Sequence, residues 1–213
     1  MALTFSAAAG RVVVLNLIDV ITENRQSLSD IDGAIGDGDH GVNMAKGFSM
    51  AGERLDESMG LTEALKTLGS VLMMEIGGSM GPLYGKFFRS MAKECKDLSE
   101  IDSNVLSKML HAGYDAITEI GGAKPGDKTL VDALDPAITA FDDAIATDSS
   151  FADALEVMRN AAEAGKESTR DMIAKLGRAA RLGERSRGAL DAGATSCWLI
   201  LDSMSRTIVE LLG

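Results

Sequence analysis

Residues 32–43 read Asp-Gly-Ala-Ile-Gly-Asp-Gly-Asp-His-Gly-Val-Asn, and the reactive side chains of this protein are concentrated there. Three carboxylates, Asp32, Asp37 and Asp39, fall within eight positions, interleaved with Gly36 and Gly38 and followed by Gly41. Glycine reaches positive φ without a Cβ penalty, so such a backbone turns sharply and aims neighbouring acids at one point. Crowded like charges repel, and a hard divalent cation is the simplest compensation. Mg2+ takes oxygen ligands in an octahedral shell and completes that shell with water or phosphate oxygens. The run therefore reads as a metal-and-phosphate site, with an acidic surface turn as the plainer alternative. A helix starts directly after it, near Asn43, and a helix N-terminus offers free N–H donors to phosphate. His40 and Asn43 would face the same ligand.

Three further glycine-marked segments carry suitable groups. In Gly77-Gly78-Ser79-Met80-Gly81-Pro82, the glycines leave room for a ligand against the backbone, and Pro82 suits the first position of a helix. A tight helix–helix turn is the competing explanation. In Gly121-Gly122-Ala123-Lys124-Pro125-Gly126-Asp127-Lys128-Thr129, followed by Leu130, either Asp127 or Thr129 could simply cap the next helix. The fourth segment runs from Leu176 through Gly177, Arg178, Gly183 and Arg185 to Asp191-Ala192-Gly193. Arginine gives planar, bidentate contacts to phosphate, although a surface ion pair is its commoner fate. One acidic and one basic loop among four at helix ends suggest a nucleotide held at one rim of a helical bundle. No Gly-x-x-x-x-Gly-Lys-Ser/Thr loop occurs and no Gly-x-G-x-x-Gly turn follows a strand, so carboxylate-bound metal must replace a P-loop.

The elements that must position these loops are helices. Apolar residues recur at three-and-four spacing: Met44, Phe48, Ala51 and Leu55; Leu65, Leu68 and Leu72; Val105, Met109 and Ala112; Leu130, Leu134, Ile138, Phe141 and Ile145. The spacing predicts about eight helices, over 4–24, 43–57, 62–76, 82–95, 103–120, 129–146, 151–175 and 192–212, with Pro136 kinking or restarting the sixth. No clear period-2 strand run appears. Short connections favour antiparallel neighbours, and no repeat or linker divides the chain, so residues 1–213 read as one all-α domain. Twelve methionines and 4% aromatics point to a core filled by flexible side chains.

Composition limits the partners. The net charge of −11 excludes an extended nucleic-acid surface but leaves room for a small phosphorylated ligand. Cys95 and Cys197 show no metal or redox spacing and suit a reducing cytosol as unpaired residues. The apolar stretch Val12–Ile21 is interrupted by Asn16 and Asp19 and lacks a preceding basic region, so neither a signal peptide nor a membrane span is expected. The expected location is the cytoplasm.

Five ordered motifs then match a family: Asp32 with Ile35-Gly36-Asp37-Gly38-Asp39-His40-Gly41; Gly77-Gly78 with Gly81-Pro82-Leu83-Tyr84-Gly85; Pro125-Gly126-Asp127-Lys128-Thr129; Gly177-Arg178-Ala179 with Leu182-Gly183-Glu184-Arg185-Ser186; and Asp191 with Gly193-Ala194. Over nearly its whole length the chain resembles the nucleotide-binding L subunit of dihydroxyacetone kinase. The resemblance implies a barrel of eight antiparallel helices with ADP or ATP at one rim. It implies that Asp32, Asp37 and Asp39 hold two Mg2+ ions against the phosphates, which His40 and Asn43 also line. It places Gly78, Ser79 and Met80 beside the nucleotide, Gly121 and Leu130 near the base, Thr129 also among the nucleotide-binding residues, and Arg178 with Asp191, Ala192 and Gly193 around the rest. Arg178 and His40 are the catalytic candidates. The sugar would sit on a separate K subunit, leaving this chain as half an enzyme. Met1 opens directly onto the first helix, which reads as a stand-alone subunit fed by a phosphotransferase-system protein, as opposed to a fused, ATP-using kinase of trioses or tetroses. Two positions depart from the family pattern, which has Ser at Met80 and Pro at Ala192; the first exchange trades a hydroxyl for a bulky thioether.

Other classes fit the residues less well. A metal-dependent phosphoesterase needs more His and Asn ligands at strand ends, and this chain has only His40 and His111. A calcium loop begun at Asp30 or Asp37 would put Gly41 or Phe48 where a bidentate glutamate is required. A nucleotide-binding regulatory homologue without transfer activity is the third alternative, with Met80 as its main support.

Overall fold

The computed structural model describes residues 3–213; Met1, on which the stand-alone expectation rests, lies outside them. Among the described residues there are nine α-helices: α1 (Arg11–Glu23), α2 (Arg25–Ile35), α3 (His40–Gly52), α4 (Leu61–Glu75), α5 (Met80–Glu94), α6 (Ser103–Gly121), α7 (Val131–Ala146), α8 (Phe151–Ser168) and α9 (Ala192–Leu212). Each of α3 to α9 packs on the next in sequence, and α1 packs on both α3 and α9, which closes a ring of eight helices. The short α2 lies outside the ring order, against α3 and α9. No described helix is long and apolar enough to cross a membrane.

The expected all-α barrel is present, and the departures from the expected elements have local causes. The segment 4–24 is not one helix. Thr4–Ser6 forms β1, antiparallel to β2 (Glu100–Asp102), with Phe5 opposite Ile101 and both buried. Three residues are too few to display a period of two. Helix α2 is an additional element of only 11 residues: Leu28, Ile31 and Ile35 stand at helical spacing, and Leu28 and Ile35 are buried. Consequently Asp32 belongs to the last turn of α2, and the acidic run is a helix end, a turn and a helix start. Helix α3 begins at His40, ahead of the expected residue 43. Helix α5 begins at Met80, so Pro82 is its third residue; its missing N–H is still among the four that a helix start leaves free. Helix α8 stops at Ser168, short of 175, because the hydroxyls of Ser168 and Thr169 donate to the carbonyls of Gly165 and Lys166 at 2.6 Å.

Pro136 neither ends nor restarts α7, which runs unbroken through it. The proline cannot bond the carbonyl of Asp132, and Gly165 of α8 packs directly over that carbonyl and the proline ring. A side chain at 165 would collide there, so the glycine lets α7 and α8 approach closely. The few aromatic residues are concentrated: Phe48, Phe87 and Phe88 pack edge-to-face, with centroids 5.2–6.0 Å apart, between α3 and α5. Such pairs add about 0.5–1.5 kcal/mol beyond their buried area. Both cysteines are buried and unpaired.

Candidate functional site

Four helix N-termini open onto one cavity. The cavity, of about 420 Å3, is lined by residues at the starts of α3, α5, α7 and α9, the end of α6, and the long connection between α8 and α9. Because ring neighbours alternate in direction, every second helix presents its N-terminus at this end. A helix start carries a partial positive charge and N–H groups without intrahelical partners, which favours an anion there. Every candidate taken from the sequence lines this cavity: Asp32, Asp37, Asp39, His40, Asn43, Gly78, Ser79, Met80, Gly121, Thr129, Leu130, Arg178, Asp191, Ala192 and Gly193.

The three aspartates converge. One oxygen from each of Asp32, Asp37 and Asp39 lies within 4.8 Å of the others. The last turn of α2 supplies Asp32, and its carboxylate accepts the backbone N–H of His40 at 3.4 Å. The intervening turn supplies Asp37 and Asp39, with Gly38 at φ +76°, where a side chain would be strained. A carboxylate triad at a helix N-terminus, reached from solvent, fits a hard oxygen-seeking cation. Arg178 is the cation that meets it in this structure, pairing with Asp37 and, at 3.3 Å, with Asp39. Arg178 and a bound metal would use the same carboxylate oxygens.

His40 sits behind the triad, 8% exposed, with Nε2 2.9 Å from Ser196 Oγ. Burial pulls its pKa down to about 4 against the opposing pull of Asp32, so the ring is neutral at pH 7. It serves there as a hydrogen-bonding group. Ser196 Oγ in turn lies 2.7 Å from Tyr84 Oη and donates to the carbonyl of Gly193. Burial holds the Tyr84 phenol well above its ordinary pKa. Ile35, Met80, Leu83, Ile117, Leu130 and Leu176 supply the apolar part of the cavity lining. Met80 stands at the first turn of α5, within the lining.

The loop before α7 resolves the capping question. Asp127 accepts the N–H of Lys124 and pairs with Lys175 at 3.2 Å, while the Thr129 hydroxyl accepts the N–H of Val131 at 3.2 Å. The carboxylate that ties the helix start down is that of Asp132, which accepts the N–H groups of Thr129 and Gly126. Asp191 caps α9 by accepting the N–H of Ala194 at 2.7 Å. Burial raises its pKa from 3.8 to about 7.

Sequence reasoning passed over three residues. Tyr84 and Lys128 stood inside recognised motifs without a role, and Ser196 gave no signal beyond a hydroxyl one turn after Gly193. A lysine in a loop reads as a solvated charge; only the structure buries Lys128.

A family model described as the DAK2 domain matches residues 34–206. The chain belongs to the DAK2 domain family. It is 40% identical over 192 residues to the ADP-binding subunit DhaL of PEP-dependent dihydroxyacetone kinase 1 of Listeria innocua, covering 89% of this chain and 91% of that subunit. To the ADP-binding subunit DhaL of the PTS-dependent dihydroxyacetone kinase of Lactococcus lactis it is 38% identical over 190 residues, covering 88% and 91%. The fold also matches the crystal structure of the dihydroxyacetone kinase from C. freundii in complex with AMP-PNP and Mg2+, with a TM-score of 0.69 at 22% identity, covering 97% of this chain and 35% of that one. That likeness carries the architecture of the DAK2 domain alone.

Proposed function

We propose that this DAK2 domain is the nucleotide-binding subunit of a kinase for dihydroxyacetone or a related short ketose, holding ADP or ATP with Mg2+ and passing a phosphoryl group to sugar on a separate K subunit. One observation carries the proposal: three carboxylates gathered within 4.8 Å at the mouth of a cavity onto which four helix N-termini open. That combination takes both halves of a metal–nucleotide complex, cations on the acids and phosphate oxygens on the N–H groups. The apolar part of the lining has the character expected for a base. Residues 1–213 act as one domain in this proposal.

Asp32, Asp37 and Asp39 would hold two Mg2+ ions, which neutralise phosphate charge when bound. Asn43, neutral His40 and the free N–H groups of α3 and α5 orient the phosphates. The Tyr84–Ser196 pair holds the His40 ring. Arg178 offers a fork-shaped donor set to the moving phosphoryl group once the metals occupy its carboxylates. Gly78 and Ser79 give the nucleotide close access to backbone, and Gly121, Thr129, Leu130, Ala192 and Gly193 border the rest of it. The nucleotide fills this cavity in the proposal, which leaves the sugar to the partner.

The names of the two bacterial relatives, PEP-dependent and PTS-dependent, support a phosphotransferase-system protein as phosphoryl donor and a cytoplasmic setting. Calorimetric titration of Mg·ADP and Mg·ATP into wild type and Asp37→Asn tests the core of the proposal. Strong Mg2+-dependent binding that falls by at least about tenfold in the variant is expected, since each oxygen ligand contributes to a shared site. Equal affinity in the two proteins would remove the metal assignment.

A further inference from the structure

The connection between α8 and α9, residues 169–191, contains no α-helix and carries Arg178 on its outer part. At its crown, residues 177–183, Gly177 and Gly183 stand at positive φ, with nothing within 4 Å of where a Cβ would be. The two limbs are joined lower down. The N–H of Ala174 donates to Ser186 Oγ at 2.9 Å, and that of Gly188 to the Arg170 carbonyl at 2.8 Å.

Between these limbs lies Lys128, only 2% exposed, in the loop just ahead of α7. Its Nζ donates to the carbonyls of Ser186 at 2.6 Å, Ala189 at 2.7 Å and Met172 at 3.3 Å. A buried ammonium group is costly unless its three protons find acceptors, and here all three do. Met172 precedes the crown and Ser186 and Ala189 follow it, so one side chain grips both limbs. Lys128 itself adopts φ +60°, unfavourable for a residue with a Cβ, and thereby turns toward the connection. Next to it, the Asp127 carbonyl accepts the N–H of Lys175 at 3.1 Å.

We propose that Lys128 is a positioning residue: its ammonium group staples both limbs of the 169–191 connection to the loop just ahead of α7 and so sets where the Arg178 guanidinium stands relative to Asp32, Asp37 and Asp39. Main-chain carbonyls are its acceptors, so the grip depends on donor geometry and is independent of neighbouring side-chain identity. A neutral apolar side chain of similar length takes this donor from three carbonyls, of which that of Ser186 is in a buried contact, and frees the limbs. The consequence for phosphoryl transfer rests on the kinase proposal; the staple itself does not.

Limited trypsin digestion of the full chain, in EDTA and without nucleotide, tests it. Lys175, Arg178, Arg181, Arg185 and Arg187 all offer cleavage sites in this connection. In Lys128→Met, cleavage there should accelerate by about tenfold or more, because local opening sets the rate, while cuts elsewhere keep their wild-type rate. Lys128→Gln, which retains N–H donors, should fall between the two and serves if the methionine variant does not fold. Phe141→Leu, which loosens the core of α7 away from the connection, should lower thermal stability without selective cleavage. A folded Lys128→Met or Lys128→Gln chain cut at the wild-type rate overturns the staple. So does loss of Mg·ADP affinity with an unaltered cleavage pattern, which would make Lys128 a ligand contact. If wild type fails to bind Mg·ADP while the cleavage result holds, the kinase proposal falls and the staple stands.

Discussion

At Asp37 and Asp191, two carboxyl groups of the same pocket are held in opposite ways. Asp37 is open to water and paired with Arg178, and an exposed ion pair of this kind is worth about 0–1 kcal/mol. Asp37→Asn should therefore leave the melting temperature in EDTA nearly unchanged while abolishing most of the stabilisation that Mg·ADP gives, which a thermal-shift series reads directly. Asp191 is half-buried, and desolvation raises its pKa from 3.8 to about 7. A carboxyl whose folded pKa exceeds its unfolded one binds protons preferentially in the folded state. Its stabilising contribution is complete below about pH 4 and is lost as pH rises to about 7, on the order of 4 kcal/mol in all. Asp191→Asn still accepts the Ala194 N–H, because asparagine is as good an N-cap. Across pH 4–7 in EDTA the variant should gain stability relative to wild type. Urea midpoints that run parallel for the two proteins would show that Asp191 is ionised throughout.

At the level of elements, the site depends on how α2 meets α3. Gly41, in the first turn of α3, faces the main chain of α2 at Arg25 and Ser29, and a Cβ there would come 2.7 Å from the Ser29 nitrogen. Helix α2 carries Asp32, so pushing it away also moves one carboxylate out of the triad. Gly41→Ala should cost about 1–3 kcal/mol, as overpacking does, and weaken Mg·ADP binding together with stability. The 169–191 connection is the second such element. It should be protected from trypsin by Mg·ADP, since ligand contacts would order its crown. Arg178→Ala should slow phosphoryl transfer in the complex with a K subunit by ~10²-fold, the usual loss for one electrostatic stabiliser. Arg178→Lys should recover only part, because a point charge cannot reproduce the guanidinium fork. Unchanged transfer rates in Arg178→Ala would reduce this arginine to a surface charge.

For the whole molecule, the closed ring decides what one chain accomplishes alone. Alternating helix directions put four N-termini and one cavity at the same end, with the carboxylate triad at its mouth. Transfer needs the acceptor oxygen held in line with phosphorus, and an unpositioned sugar forgoes most of that advantage. The purified chain with Mg·ATP and dihydroxyacetone should therefore turn over at a negligible rate until a K subunit is added. Robust turnover by the chain alone would refute the divided-enzyme proposal.

The amino-acid sequence by itself determined the helical class, because three-and-four spacing of Leu65, Leu68 and Leu72 or of Leu134, Ile138 and Phe141 is a local property that packing then used. It also determined the cluster Asp32, Asp37 and Asp39, since those residues are close along the chain and Gly38 turns it between them. Tertiary structure decided what local pattern does not encode. Helix α2 carries Leu28, Ile31 and Ile35 at helical spacing, but its contacts with α3 and α9 decide that Leu28 and Ile35 are the ones buried. Residues 4–6 become a strand only because residues 100–102 lie alongside them. Lys128 and Ser196 acquired their partners from segments 44–61 and 112–156 residues away, respectively. Hydrogen bonds of that span exist only once the ring has closed, because it is the closure that removes water from the donors and brings the acceptors to them.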